Sequence, residues 1–380
     1  MTNDPIYLDH NATTPLLPEV VDAMLPYLRE HFGNPSSGHV YGVRAGQAVA
    51  QARDQVARLL GCDPDEVVFT SGGTEANNLA IRGVVEVLGR KGAIVTSTIE
   101  HPATARPCAW LEKLGHRVAQ VGVDGGGRVR VDEAANAIDD QTSLVTVMHS
   151  NNETGTVQPI EELVSSAQRL GALVHTDAAQ SVGKVPIRVQ DLGVDLLSLA
   201  GHKLYAPKGV GALYIKRGTP LAPLLVGANH ERGIRPGTEN VASIVALGAA
   251  CHAAMRDLSE VSARMEALRD DLWRRLYDEI PDLALNGSPR HRLPNTLNVR
   301  FPRASGTAVL AGAPEVAAST GSACHAGGET ASAVIVAMGV SREDALGSVR
   351  LSLGRGTTDQ AVVTAAQALI RSWHRVSRSS

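Results

Sequence analysis

The chain has 380 residues, of which 43% are apolar but only 3% aromatic, with 37 glycines and a formal net charge of −3. This balance gives no electrostatic reason to expect nucleic acid or an anionic membrane as partner, and no uninterrupted apolar run approaches the roughly 20 residues of a membrane span. The polar start, Met1 to Pro5, does not read as a signal peptide, and the four cysteines (Cys62, Cys108, Cys251, Cys324) form no CxxC pair, so we expect a reducing cytoplasm, no disulfide framework and no metal site.

The length predicts one large and one smaller domain. In chain order, 6–15 is a short extended piece running into a polar turn, and helices follow over 18–32 and 43–60, where apolar residues recur at helical spacing. Residues 66–70 read as a strand, Ser71-Gly72-Gly73 as a turn, and Thr74 onward as a helix start. A glycine-rich turn feeding a helix offers unpaired backbone N–H groups and the positive end of the helix dipole, which suits a phosphate. Strands at 94–98, 118–121, 144–148 and 172–177 alternate with helices at 103–114 and 160–170, and Gly125-Gly126-Gly127 reads as a turn between short extended pieces. That alternation implies a mainly parallel sheet with its ligand at the carboxyl ends of the strands.

The apolar run 194–199 ends in Gly201-His202-Lys203-Leu204-Tyr205. A lysine at the mouth of a buried strand is suited to Schiff-base chemistry, because partial desolvation favours its neutral, nucleophilic form. Ser71 and Thr74, His101, Asn152, Asp177 and Lys203 each follow an apolar run, so the fold should bring them to one edge. A strand at 210–215, a polar loop at 229–240 and a long helix over 242–279 lead toward the second domain, where 281–299, 316–318 and 348–353 contain strands and 359–376 is helical.

Pyridoxal 5′-phosphate requires a lysine, a carboxylate for its ring nitrogen, a phosphate cradle and a flat neighbour. Lys203, Asp177, the Gly73/Thr74/His202 group and His101 match those needs in turn. Cys324 lies in a run of Gly, Ser and Ala, the setting of an exposed thiol, with His325 beside it; the other three cysteines sit in turn or helix contexts and read as unreactive. Arg350, near a strand end, could pair with a substrate carboxylate.

The stretches YLDHNATTP, FGNPSS, FTSGGTEANNLAI, NNETG, HTDAAQSVGK, GHKLYAPKG, ERGIRPGTEN, LPNTLN, TGSAC and VRLSLGR, spread over residues 7–355, resemble the class V aminotransferase family, and within it the cysteine desulfurase and selenocysteine lyase group. The resemblance implies a fold-type I PLP-dependent transferase: a large α/β domain over 15–250 with a mainly parallel seven-stranded sheet, and a smaller α+β domain made of 1–14 and 251–380. It implies that Lys203 holds the cofactor by a Schiff base and Asp177 pairs with its ring nitrogen. Gln180 and Asn152 would bond the phenolic oxygen, His101 would stack on the ring and shuttle protons, and Gly73, Thr74 and His202 would hold the phosphate. Thr238 would reach the phosphate of a second copy, which implies a homodimer. Arg350 and Asn34 would bind the carboxylate of L-cysteine (or L-selenocysteine), and Cys324 would take the sulfur as a persulfide for an acceptor protein or Fe–S scaffold. The pattern is broken at Ala200, where many desulfurases carry a phosphate-contacting serine; one lost hydroxyl costs about 1 kcal/mol.

Overall fold

Seven strands form the central sheet of the computed structural model, which describes residues 4–88, 92–321 and 330–378. In chain order the strands of the protein are β1 (Ile6–Tyr7), β2 (Val67–Thr70), β3 (Ala93–Ser97), β4 (Val118–Val121), β5 (Thr142–Thr146), β6 (Leu173–Asp177), β7 (Leu196–Ala200), β8 (Gly211–Ile215), β9 (Ala284–Asn286), β10 (Thr296–Arg300), β11 (Val316–Ala317) and β12 (Ser348–Ser352). The central order is β2-β8-β7-β6-β5-β3-β4, and only β8 runs against its neighbours. Because β8 is antiparallel to both β2 and β7, the carboxyl ends of β2, β3, β5, β6 and β7 all open on one edge. This is the α/β, fold-type I arrangement that the spacing and the resemblance led us to expect.

The strands belong inside. All residues of β2, β3, β7 and β8 are buried, as befits a sheet covered on both faces by helices. One such cover is the helix Gly73–Leu88, which turns Ala76, Ala80, Ile81 and Val84 onto the sheet. A second, antiparallel sheet of order β12-β10-β9 is built from the C-terminal part of the chain, and the N-terminal β1 joins that part by pairing in parallel with β11.

Apolar side chains gather in three clusters. Two surround the central sheet, and the third joins Leu8 to Leu268–Trp373 around β10, β12 and the helix Asp359–Val376. The helix Val241–Glu279 passes from one region to the other. Ile244 to Ala254 pack on the large core and Leu268 to Leu276 on the smaller one, with the helix interrupted at Asp257 (φ −130°, ψ 17°). We propose that this change of partner marks the domain junction; Val334 to Ala345, although late in the chain, pack on the large core. The same helix is long and apolar enough to cross a membrane by length and composition alone, but 61% of its apolar window is buried against the rest of the protein. A core helix meets both conditions.

The helix Val131–Ala137 lies where only turns and short extended pieces were expected. Ala134 is its one buried residue, so no apolar periodicity could announce it.

Candidate active site

Beyond β7 the chain makes a single 3-10 turn, Gly201–Lys203, and Lys203 turns back over the N-terminal segment. Its Nζ donates to the carbonyl oxygens of Asn11 and of Ala12, the latter at 2.9 Å. Gly201 is required there, since a Cβ would come within 2.8 Å of the Val210 carbonyl oxygen. The N-terminal segment is fixed in turn. Asn11 donates through Nδ2 to Thr296 Oγ1 at 2.9 Å and to the Asn152 carbonyl at 3.2 Å, and the hydroxyl of Thr14 donates to the His202 carbonyl at 3.1 Å.

A cavity of about 270 Å³ opens beside Lys203, and Gly73, Thr74, His101, Asn152, Asp177, Gln180, His202 and Arg350 also face it. Eight of the residues read from sequence thus converge with the lysine. Asp177 is buried at the end of β6, where Oδ1 accepts from the Ala179 N–H at 2.9 Å and Oδ2 from Asn77 Nδ2 at 2.6 Å. Asn77 was missed in the sequence. It is wholly buried and also donates to Thr104 Oγ1 at 3.2 Å, so it fixes the carboxylate from the rear. The available signal was its position: 77, 81 and 84 lie on one otherwise apolar helix face.

His101 caps the helix Pro102–Lys113. Its Nδ1 accepts from the Ala103 N–H at 3.1 Å, which leaves Nε2 to carry the proton of a neutral ring. Burial is the main cause that lowers its pKa; nearby Lys203 lowers it as well, and Asp177 opposes both. His202 falls to about 4, through burial and then the charges of Lys203 and Lys208. Both imidazoles are therefore neutral at pH 7. Glu100, beside His101, is pushed up to about 8 by burial, against hydrogen bonds from Ser97 and from the Met148 N–H.

Arg350 is 2% exposed, and its Nη2 lies 2.7 Å from Asp9 Oδ1. Nη1 donates to the Asn152 carbonyl at 3.1 Å, while Nε is buried without a partner among the described residues. Breaking a buried pair of this kind leaves an uncompensated charge, at a cost of about 3–5 kcal/mol. A second cavity, about 720 Å³, shares His101 and Asn152 with the first and extends past Glu153 to Gly321 and Thr330.

Two expected residues stay apart from this group. Asn34 is exposed, with Oδ1 accepting from the Ser36 N–H at 2.9 Å, and Thr238 is exposed on the loop after Arg235; neither lines the cavity of this chain. That loop is nevertheless well anchored. Glu231, buried and with φ 44°, pairs with Arg53 at 2.5 Å, and Arg235 pairs with Glu75 on the first turn of the helix Gly73–Leu88 at 2.8 Å. Cys324 and His325 lie outside the described residues. Burial raises the thiols of Cys62 and Cys108 to about 12 and that of Cys251 higher still, in keeping with their reading as unreactive. Among the described residues no His, Cys, Asp or Glu group could hold a metal ion.

The residues fit pyridoxal phosphate by their chemistry. Amine and carboxylate face one cavity, and Gly73 and Thr74 open a helix of 16 residues whose first N–H groups are available to an anion. A Cβ on Gly73 would sit 3.3 Å from that of Ala200 and fill part of the space.

Residues 6–364 match the model of the aminotransferase class-V family, and the chain belongs to that family. Within it, the chain is 46% identical over 356 residues to a cysteine desulfurase of Trichormus azollae, covering 93% of this chain and 89% of that protein. It is 44% identical over 360 residues to the cysteine desulfurase NifS of Azotobacter vinelandii, covering 94% and 90%. A solved NifS-like protein superposes with a TM-score of 0.90 at 36% identity, covering 97% of this chain and 98% of that one. Family membership implies use of pyridoxal phosphate.

Proposed function

We propose that the protein is a pyridoxal-phosphate-dependent cysteine desulfurase, which converts L-cysteine to L-alanine and takes the sulfur onto Cys324. The observation that carries this reading is the meeting of Lys203, Asp177, His101 and the start of the helix Gly73–Leu88 on one cavity, with a buried arginine at its wall. When bound, the cofactor withdraws electrons from the substrate carbons. Lys203 would hold it, with Asp177 to pair with the ring nitrogen, Asn152 and Gln180 to bond the phenolic oxygen, His101 to stack on the ring, and Gly73, Thr74 and His202 to hold the phosphate. Arg350 receives the substrate carboxylate and orients the amino acid.

Lys203, as the amine at the centre of the cavity, removes and returns the proton at the substrate α-carbon, and neutral His101 can donate from Nε2. The Cys324 thiolate attacks the substrate sulfur. The S–S bond forms as the C–S bond breaks, and the carbon left behind gains a proton to become the methyl group of alanine. L-Cysteine and an enzyme thiol thus become alanine and an enzyme persulfide, with no external oxidant. The sulfur then passes to an acceptor protein. The proposed setting is the cytoplasm, where free thiols remain reduced.

The exposure of Thr238 and Asn34 supports a homodimer in which residues outside the cavity of one chain serve that of the other. Leu28, Phe32, Val40, Tyr41 and Val43 are exposed around Asn34, with the Phe32 and Tyr41 rings stacked at 5.6 Å. Sedimentation should give twice the chain mass; a monomer that binds cofactor fully would remove the role of Thr238.

The assay is direct. Reconstituted with pyridoxal phosphate and given L-cysteine and dithiothreitol, the protein should release alanine and sulfide in equal amounts. Substituting Arg350→Lys should raise the KM for cysteine about tenfold, because a flexible point charge replaces the planar guanidinium. Absence of alanine, or its formation without sulfide, sinks the reading.

A further inference from the structure

Lys184 closes the motif HTDAAQSVGK and at first sight resembles a surface lysine, yet it is 4% exposed. Its Nζ donates to Gln180 Oε1 at 3.1 Å and to Asn11 Oδ1 at 3.3 Å, both neutral amide oxygens. No carboxylate pairs with it among the described residues. The charged groups that act on it, Lys203 and Arg350, are cations, and His10 packs nearby as a neutral ring with burial, then Lys184, holding its pKa down to about 4. Burial pushes the Lys184 ammonium well below the ordinary lysine range.

A lysine without a counter-ion is costly to bury unless it organises something. Its two partners are also the residues that frame the reactive amine. Asn11 offers its backbone carbonyl to Lys203, and Gln180 Nε2 donates to that same carbonyl at 3.0 Å. Gln180 therefore turns its oxygen to the Lys184 amine and its NH₂ end to Asn11 and the cavity. Asn11 is set likewise: Oδ1 accepts from Lys184 and from Asn295 Nδ2, the latter at 3.1 Å, and Nδ2 faces Asn152 and Thr296.

We propose that Lys184 is a positioning residue that locks the Gln180 amide with its N–H donors toward the cofactor and steadies the Asn11 carbonyl beneath Lys203. This rests on the reading of the cavity as the pyridoxal phosphate site. Without Lys184, the buried Gln180 oxygen has lost its donor and turns toward Lys203, and the cofactor's phenolic oxygen loses a fixed N–H. Loss of that donor favours the protonated form of the lysine–cofactor linkage.

The test is the pH midpoint of the visible absorption band of the reconstituted protein, with circular dichroism as a check on folding. The titratable and charged groups near the linkage are His101, His202, Asp177, Lys203 and Arg350, all unchanged in the variant. Lys184→Met should raise the midpoint by about one unit, a tenfold change in the proton equilibrium. In a Gln180→Leu background the same substitution should shift it by less than half as much. An unchanged or lowered midpoint, or an equal shift in both backgrounds, overturns the proposal. Should Lys184→Met fail to fold, Lys184→Gln carries the same comparison. A wild-type protein that never acquires a visible band instead refutes the cofactor reading itself.

Discussion

Lys203→Ala should abolish both the visible band of the lysine-linked cofactor and the release of alanine. The expected fall in turnover is at least about 10³-fold, since the proposed mechanism has this one side chain anchor the cofactor and move the α-proton. No neighbour can replace it. Lys184 is tied to Gln180 and Asn11, and His101 is committed through Nδ1 to capping its helix. The variant should nevertheless fold, because Lys203 contributes a partly buried amine bonded to two backbone carbonyls rather than a packed core side chain. Alanine formation near the wild-type rate would remove Lys203 from the centre of the mechanism.

Cys324→Ala should eliminate sulfur release from L-cysteine while leaving cofactor binding unchanged. The distinction follows from the cavity, whose lysine, carboxylate and helix start are all supplied by other residues. Transfer needs a thiolate that can attack sulfur, and the remaining cysteines cannot serve. Cys108 and Cys251 are buried, and burial raises the Cys62 thiol to about 12, so a negligible fraction is ionised at neutral pH. The variant should hold its substrate and stall with alanine production at background, and a Cys324→Ala protein that still yields sulfide from cysteine at the wild-type rate would count against the persulfide role.

Much of this site was legible in the sequence because strand ends are legible. Apolar runs of β-length ending in Gly, His, Asn or Asp placed Lys203, Asp177, His101 and Asn152 on one edge, and the common direction of β2, β3, β5, β6 and β7 brings them together. What escaped notice lies one layer back. Asn77 sits within a helix whose readable signal is its N-terminal glycine turn, and Lys184 closes a turn where a lysine is ordinarily solvated. Their roles depend on packing between segments about 100 and 170 residues apart, to which local periodicity is blind. Asn34 and Thr238 are the converse case. The resemblance assigns them to the site, and the single chain keeps both on its surface, a gap that a second copy would resolve.

The measurement that tests the central claim most directly is a single turnover of the cofactor-loaded protein with L-cysteine and no reductant, followed by mass analysis of the peptide that carries Cys324. One alanine per cofactor and one added sulfur atom on Cys324 is the predicted result. Alanine formed with no sulfur on that peptide, or with the sulfur on Cys62, Cys108 or Cys251, would contradict it.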